Sequence, residues 1–170
     1  MRPFARYGLT LHPEKTRLIA FRRPLGAARG VDRDATVRSE SFDMLGFTHF
    51  WTCSLRGYWV IKRKTARDRL SRTLRAIARW CRQNRHAPVV WQHAVLCRKL
   101  RGHYGYYGIT GNSVAITRFR HVVRTIWQKW LNRRGGRSSM PWPRFAQLEA
   151  RYPLPAAIAI HSSYRCAANP

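Results

Sequence analysis

The sequence predicts an α+β chain that is mainly α. An extended region over residues 1–61 is followed by three helices over 62–140, and by a short helix with a Pro-rich tail over 141–170. Three observations predict this. The first third carries short apolar runs punctuated by Gly and Pro, without helical spacing. From Arg63 onward, apolar residues recur at three- and four-residue steps in three successive stretches. Finally, 45% hydrophobic residues, with seven each of Trp, Tyr and Phe in 170, are enough for a core despite a net charge of +26.

Leu18, Ile19, Ala20 and Phe21 form a short apolar run closed by Arg22, Arg23 and Pro24, which predicts a buried strand. Gly26 to Glu40 has no apolar period and reads as a turn region or an inserted loop. Ser41 to Phe50 and Tyr58 to Ile61, separated by Gly57, pair as a hairpin. From Arg63 to Asn84 the residues Ala66, Leu70, Leu74, Ile77, Ala78 and Cys81 make one stripe of a basic helix. Pro88 opens a second helix through Trp91, Val95, Leu96 and Leu100, weakened by Gly102 and Gly105. Asn112 or Ser113 caps a third, with Ile116, Phe119, Val122, Val123, Ile126, Trp127 and Trp130 on its apolar face. A fourth short helix covers Trp142 to Arg151, ended by Pro153 and Pro155.

The charge separates function classes. Of 33 basic residues 28 are Arg, whose planar fork grips phosphate bidentately and stacks on bases, so the expected partner is a nucleic acid. A genome rich in G and C would also raise the Arg share. The acids Glu14, Asp32, Asp34, Glu40, Asp43, Asp68 and Glu149 are scattered, without the paired carboxylates of two-metal phosphoryl transfer or acid/base hydrolysis. Cys53, Cys81, Cys97 and Cys166 lack C-x-x-C spacing and follow no signal peptide, which predicts reduced thiols and a cytoplasmic location. His93 and Cys97 lie one helical turn apart but lack companions at metal-ligand spacing. The run Leu154 to Ile160 is too short to span a bilayer, so no membrane partner is expected.

Two segments carry candidate binding residues. Arg101 to Asn112 interleaves Tyr104, Tyr106 and Tyr107 with four Gly, together with His103 and Thr110, which suits unpaired bases stacking on rings while phosphates approach a bare backbone. The same Tyr residues would serve equally well as core aromatics at a helix junction. The basic helix carries Arg67, Arg69, Arg72, Arg75, Arg79 and Arg82 against Asp68 alone, so i,i+4 ion pairing does not account for it. Lys62, Arg63 and Lys64 stand at its start, and Lys129, Arg133, Arg134 and Arg137 extend the charge at the end of the third helix.

Gly8-Leu9-Thr10-Leu11-His12-Pro13-Glu14-Lys15-Thr16, Phe42-Asp43-Met44-Leu45-Gly46-Phe47, the Arg101 to Asn112 segment and Trp130-Leu131-Asn132-Arg133-Arg134 occur in that order. Together, from about Tyr7 to Tyr164, they resemble the C-terminal part of bacterial group II intron reverse transcriptases, also called intron maturases. The resemblance implies a palm remnant over residues 1–61 and, from Lys62 to about Met140, the thumb or X domain, which is maturase-specific. That domain holds the template-primer duplex and binds intron RNA for splicing. Lys15 then matches a palm Lys near the incoming nucleotide, and Leu45, Gly46 and Phe47 match the primer-grip turn.

The departures bound what is implied. Family members carry Tyr-x-Asp-Asp and a further Asp that hold two Mg²⁺ ions, and nothing in this sequence matches them. Polymerisation by this chain alone is therefore not expected; Mg²⁺ would belong to the missing palm region and no cofactor is assigned to this chain. An endonuclease module has no counterpart either. The leading expectation is an RNA-binding module truncated from the larger enzyme. The rivals are a subunit completing a split polymerase with a separately encoded fingers-palm fragment, a decayed remnant of a mobile element, and a general DNA-compacting protein.

Overall fold

The computed structural model describes residues 7, 8, 10, 12, 16, 18–24, 41–54, 56–135 and 139–161. Lys15, the loop from Gly26 to Glu40, Arg137 and Cys166 lie outside them. Strands β1 (Phe42–Met44), β2 (Phe47–Cys53) and β3 (Trp59–Thr65) form an antiparallel sheet in the order β1-β2-β3. Helices α1 (Arg67–Gln83), α2 (Val89–Tyr107), α3 (Ser113–Leu131) and α4 (Trp142–Arg151) follow. The α+β class with helix in excess is as the sequence predicts. The chain divides into two compact units, Met1–Phe42 with His49–Ile61, and Asp43–Thr48 with Lys62–Pro170.

The first unit is organised by aromatic rings. Phe21 meets Phe42 edge-on at 4.9 Å and stacks on Trp51 at 5.5 Å, while Phe42 stacks on His49 at 4.9 Å. The run Leu18 to Phe21 is not a strand: Leu18 is fully exposed, and only the ring of Phe21 is drawn inward. Four apolar residues in a row satisfy a strand's composition, but among the described residues no strand pairs with them, and Phe21 N–H donates to Ile19 O within the run. Gly57, at φ 79°, makes the β2-β3 turn, in which the Ser54 hydroxyl accepts from Tyr58 N–H at 3.0 Å.

In the second unit α3 is the central element. Ile116, Phe119, Val123, Trp127 and Leu131 are buried at three- and four-residue steps. Against them pack Ile77 and Cys81 of α1, Leu96, Cys97, Leu100 and Tyr104 of α2, Phe145 of α4, and Leu154 of the tail. Burial pushes the Cys81 thiol up to about 12 and raises that of Cys97, which leaves both as inert core residues.

Three element boundaries differ from the periodicity. The strand β3 carries Lys62, Arg63 and Lys64 on to Thr65, so these basic residues precede the helix rather than open it. The segment Ser41 to Phe50 is two strands, broken by a turn in which Leu45 (φ 50°) and Gly46 (φ 78°) are both left-handed. That is the twist-matched geometry of a two-residue hairpin loop. The third difference is in α2, which continues through Gly102 and Gly105 to Tyr107. Both glycines face open space, and the burial of Leu100, His103 and Tyr104 holds the last turns in place of helix propensity.

Residues 152–161 form a strap along the bundle. Ile160 and His161 N–H donate to Gly108 O at 2.7 and 2.9 Å, and Thr110 N–H donates to His161 O at 2.9 Å. His93 Nε2 sits 2.9 Å from Pro153 O and 3.2 Å from Cys97 Sγ, so the His93/Cys97 pair anchors the strap's start. A side chain on Gly108 would collide with Tyr104 O and come within 3.2 Å of Ile158 O, which reserves this corner for glycine. Among the described residues no helix is long and apolar enough to cross a membrane.

Candidate functional site

The helix α1 separates two stripes. Leu70, Leu74, Ile77 and Cys81 turn toward the core, and Asp68, Arg72, Arg75 and Arg79 repeat the same steps two residues earlier. At about 100° per residue that offset is about 200°, so the basic stripe lies opposite the core. With Arg67, Ser71 and Ala76 of the same helix, and Asp43 of β1, it lines an open groove of about 770 Å³. Asp68 is 3.5 Å from Arg69 and 3.7 Å from Arg72, an exposed pairing that contributes little to stability. Among the described residues no hydrogen bond or ion pair holds the guanidinium groups of Arg67, Arg75 and Arg79.

A second cavity, of about 430 Å³, is lined by Leu45, Gly46, Arg69, Tyr106 and Tyr107. The hairpin tip is fastened here: the Tyr106 hydroxyl donates to Leu45 O at 2.8 Å, and Ala66 N–H donates to Gly46 O at 2.9 Å. A Cβ on Gly46 would stand 2.9 Å from the Tyr107 hydroxyl, so the close seat and the left-handed φ both require glycine. Phe47 is buried, stacked on Tyr106 at 5.7 Å and tilted against Tyr107 at 5.2 Å. Burial, then the neighbouring Tyr106, raises the Tyr107 phenol above its ordinary range. This corner offers a ring, a guanidinium and an exposed Leu45, a combination able to stack a base beside a phosphate.

Several residues expected at an RNA surface are buried, or half-buried and held by internal partners. Tyr104 is 3% exposed, with its hydroxyl 3.4 Å from Pro155 O, and burial pushes it up to about 12. Asn112 is 1% exposed and occupies the N-cap position of α3, yet its side chain does not cap that helix. Its Oδ1 accepts from Thr65 N–H at 3.0 Å, and its Nδ2 donates to Thr65 Oγ1 at 2.9 Å and Tyr107 O at 2.8 Å. The Thr110 hydroxyl is 3.2 Å from His161 O, in the strap. Arg134 donates from Nη2 to Ala87 O at 2.7 Å, clasping the α1-α2 loop, and its burial lowers its basicity. In each case packing supplies a partner, so the core reading of the Tyr/Gly segment holds for its inward half.

His103 is buried in a stack, 3.7 Å from Phe119 and 4.5 Å from Tyr107, with Nε2 lacking a partner among the described residues. Burial lowers it to about 4 from the ordinary 6.5. A depressed histidine stabilises the fold fully above pH 6.5, and that contribution is lost as pH falls toward 4 because the unfolded chain takes up the proton first. The loss is on the order of 2–3 kcal/mol. The variant His103→Phe should keep the stack and flatten this acid limb; urea titrations from pH 7 to 4 that match wild type in slope would exclude His103 as its source.

The remaining candidates stay at the surface. Lys62, Lys64 and Arg101 are exposed and Arg63 is half-buried. Lys129 and Arg133 are exposed at the end of α3, lying 6.0 and 5.5 Å from the Trp130 ring. They line neither cavity. Arg120 and Arg124 instead face inward: Arg124 donates to Glu149 at 2.6 Å and lies over Trp142, while Arg120 donates to the strap at Pro155 O. Asp43 and Ser71 line the groove beside the α1 arginines, and neither carries a binding signal in the sequence. The stripe of 68, 72, 75 and 79 was readable for Arg79, whereas Asp43 and Ser71 gain meaning only across the groove. Comparison with family models, with curated proteins and with solved structures finds no match to this chain.

Proposed function

We propose that this chain is an RNA-binding module that grips the sugar-phosphate backbone with the arginine stripe of α1. On the resemblance of its motifs, the bundle acts as the thumb or maturase-specific domain of a group II intron reverse transcriptase. It would contact intron RNA or a template-primer duplex and support splicing and mobility. The observation that carries this reading is the unequal treatment of arginines. Arg120, Arg124 and Arg134 are held by internal acceptors, whereas Arg67, Arg75 and Arg79 line an open groove with no internal partner among the described residues. Concentrated like charge on a folded helix is self-repulsive and is stabilised by a polyanion.

Binding to a structured intron RNA across a salt series tests it. Replacing Arg67, Arg72 and Arg75 together by Gln should lower the log-log salt slope by about 2–3 and weaken binding roughly 100-fold. Removing the same charge at Arg98, Arg118 and Arg151 should change the slope by less than about one. An unchanged slope in the α1 variant removes α1 from the interface. Equal competition by random duplex DNA would reduce the module to a general basic binder.

A further inference from the structure

We propose that Asp43 and Ser71 make the α1 groove a reader of the ribose 2′-hydroxyl, so that it selects RNA over DNA. The inference rests on the backbone-gripping function proposed above and names the sugar it accepts. Its starting point is an anomaly of charge. In a groove lined by Arg67, Arg72, Arg75 and Arg79, a carboxylate works against an incoming phosphate. Asp68 is neutralised by Arg69 and Arg72, but among the described residues no cation lies within ion-pairing distance of Asp43. One oxygen of Asp43, Oδ1, accepts from the Thr48 hydroxyl across the β1-β2 hairpin. Among the described residues no side chain donates to the other.

An ionised carboxylate only accepts hydrogen bonds, so what it selects in a ligand must donate. Phosphate oxygens cannot. Along a backbone held by arginines the next group is the sugar, and its 2′-hydroxyl is the donor that distinguishes RNA from DNA at every position, whatever the base. Ser71 lines the same groove from the α1 side, half-buried, and its hydroxyl can donate and accept. Asp43 and Ser71 therefore offer, from two walls, the complement of a 2′-hydroxyl between arginines that position the flanking phosphates. Deoxyribose would leave the second carboxylate oxygen without a donor from the ligand.

The test crosses protein variants with sugar chemistry. An RNA hairpin and its all-2′-deoxy and all-2′-O-methyl counterparts of identical sequence are titrated by fluorescence anisotropy at one salt concentration. Wild type should bind the RNA about tenfold more tightly than either counterpart, the range of one hydrogen bond to a charged acceptor. Asp43→Ala should bring that ratio close to one by weakening the RNA complex, with the deoxy complex unchanged or tighter. Ser71→Ala should lower it about threefold. Thr48→Val, which removes the hairpin bond and keeps the carboxylate, should leave the ratio at the wild-type value. Equal ratios in wild type and Asp43→Ala overturn the proposal, as does a collapse of the ratio in Thr48→Val, which would mean that Asp43 acts through the hairpin. A preference that follows base sequence rather than the 2′ substituent also overturns it. RNA and DNA bound alike, with the α1 salt dependence intact, would sink the sugar reading alone; no binding to any of the three probes would sink the parent function with it.

Discussion

Replacing Gln92 by Ala is expected to destabilise the helical unit by about 4 kcal/mol, measured by urea unfolding at pH 7. Gln92 is 1% exposed in the first turns of α2 and uses both ends of its amide. Its Nε2 lies 2.8 Å from Asn84 O, 3.0 Å from Ala87 O and 3.3 Å from Arg85 O, the carbonyls of the α1-α2 connection. Its Oε1 accepts from Trp127 Nε1 on α3 at 2.9 Å. Alanine would leave the indole N–H unpaired in the core, strand the loop carbonyls, and open a cavity beside Trp127. Gln92→Glu is a sharper variant, because it keeps the acceptor and the volume but turns an oxygen toward the carbonyls. If either variant unfolds within about 1 kcal/mol of wild type, the loop is held by Arg134 and by packing instead.

Asn112→Ala should lose about 3 kcal/mol and also weaken the proposed RNA binding by the α1 stripe, which its side chain does not line. The three hydrogen bonds of its amide tie the end of β3 to the corner between α2 and α3, and β3 leads through Ala66 directly into α1. Without them the Thr65 N–H is buried and unpaired, and the start of the arginine stripe loses its fixed position. Asn112→Asp tests the geometry, since it keeps the acceptor for Thr65 N–H and removes the donors to Thr65 Oγ1 and Tyr107 O. Hydrogen exchange at Thr65 and Ala66 gives the local readout. Exchange as slow in Asn112→Ala as in wild type would show that the sheet end is held without the amide.

The helices were legible because their signal is local and repeated. Ala66, Leu70, Leu74, Ile77 and Cys81, and the apolar face from Ile116 to Trp130, recur at the spacing an amphipathic helix demands, and the helices are there. Trp142 to Arg151 was readable as a short helix ended by Pro153 and Pro155. The extended region was less so. An apolar run such as Leu18 to Phe21 has the composition of a strand, but pairing is decided by a distant partner that a local pattern does not encode. Glycines misled in α2, where their propensity penalty of about 1 kcal/mol each is outweighed by the burial of the residues between them.

The candidate site divides along the same line. Sequence alone determined that a folded, strongly cationic chain with one basic helix face exists, because charge and periodicity are properties of residue order. Only the tertiary structure decided which cations serve the interior. Arg134, Arg120 and Arg124 look no different in sequence from Arg72 or Arg75, yet their guanidinium groups meet backbone carbonyls and Glu149, brought near by the return of the loop, α4 and the strap. Likewise Tyr104, His103 and Asn112 were drawn into the core, and Asp43 was carried to the groove from 28 residues before Ser71. Side-chain type fixes what a group can bond, whereas its partner depends on contacts between residues far apart in the chain, and those form only when the hydrophobic faces close on one another.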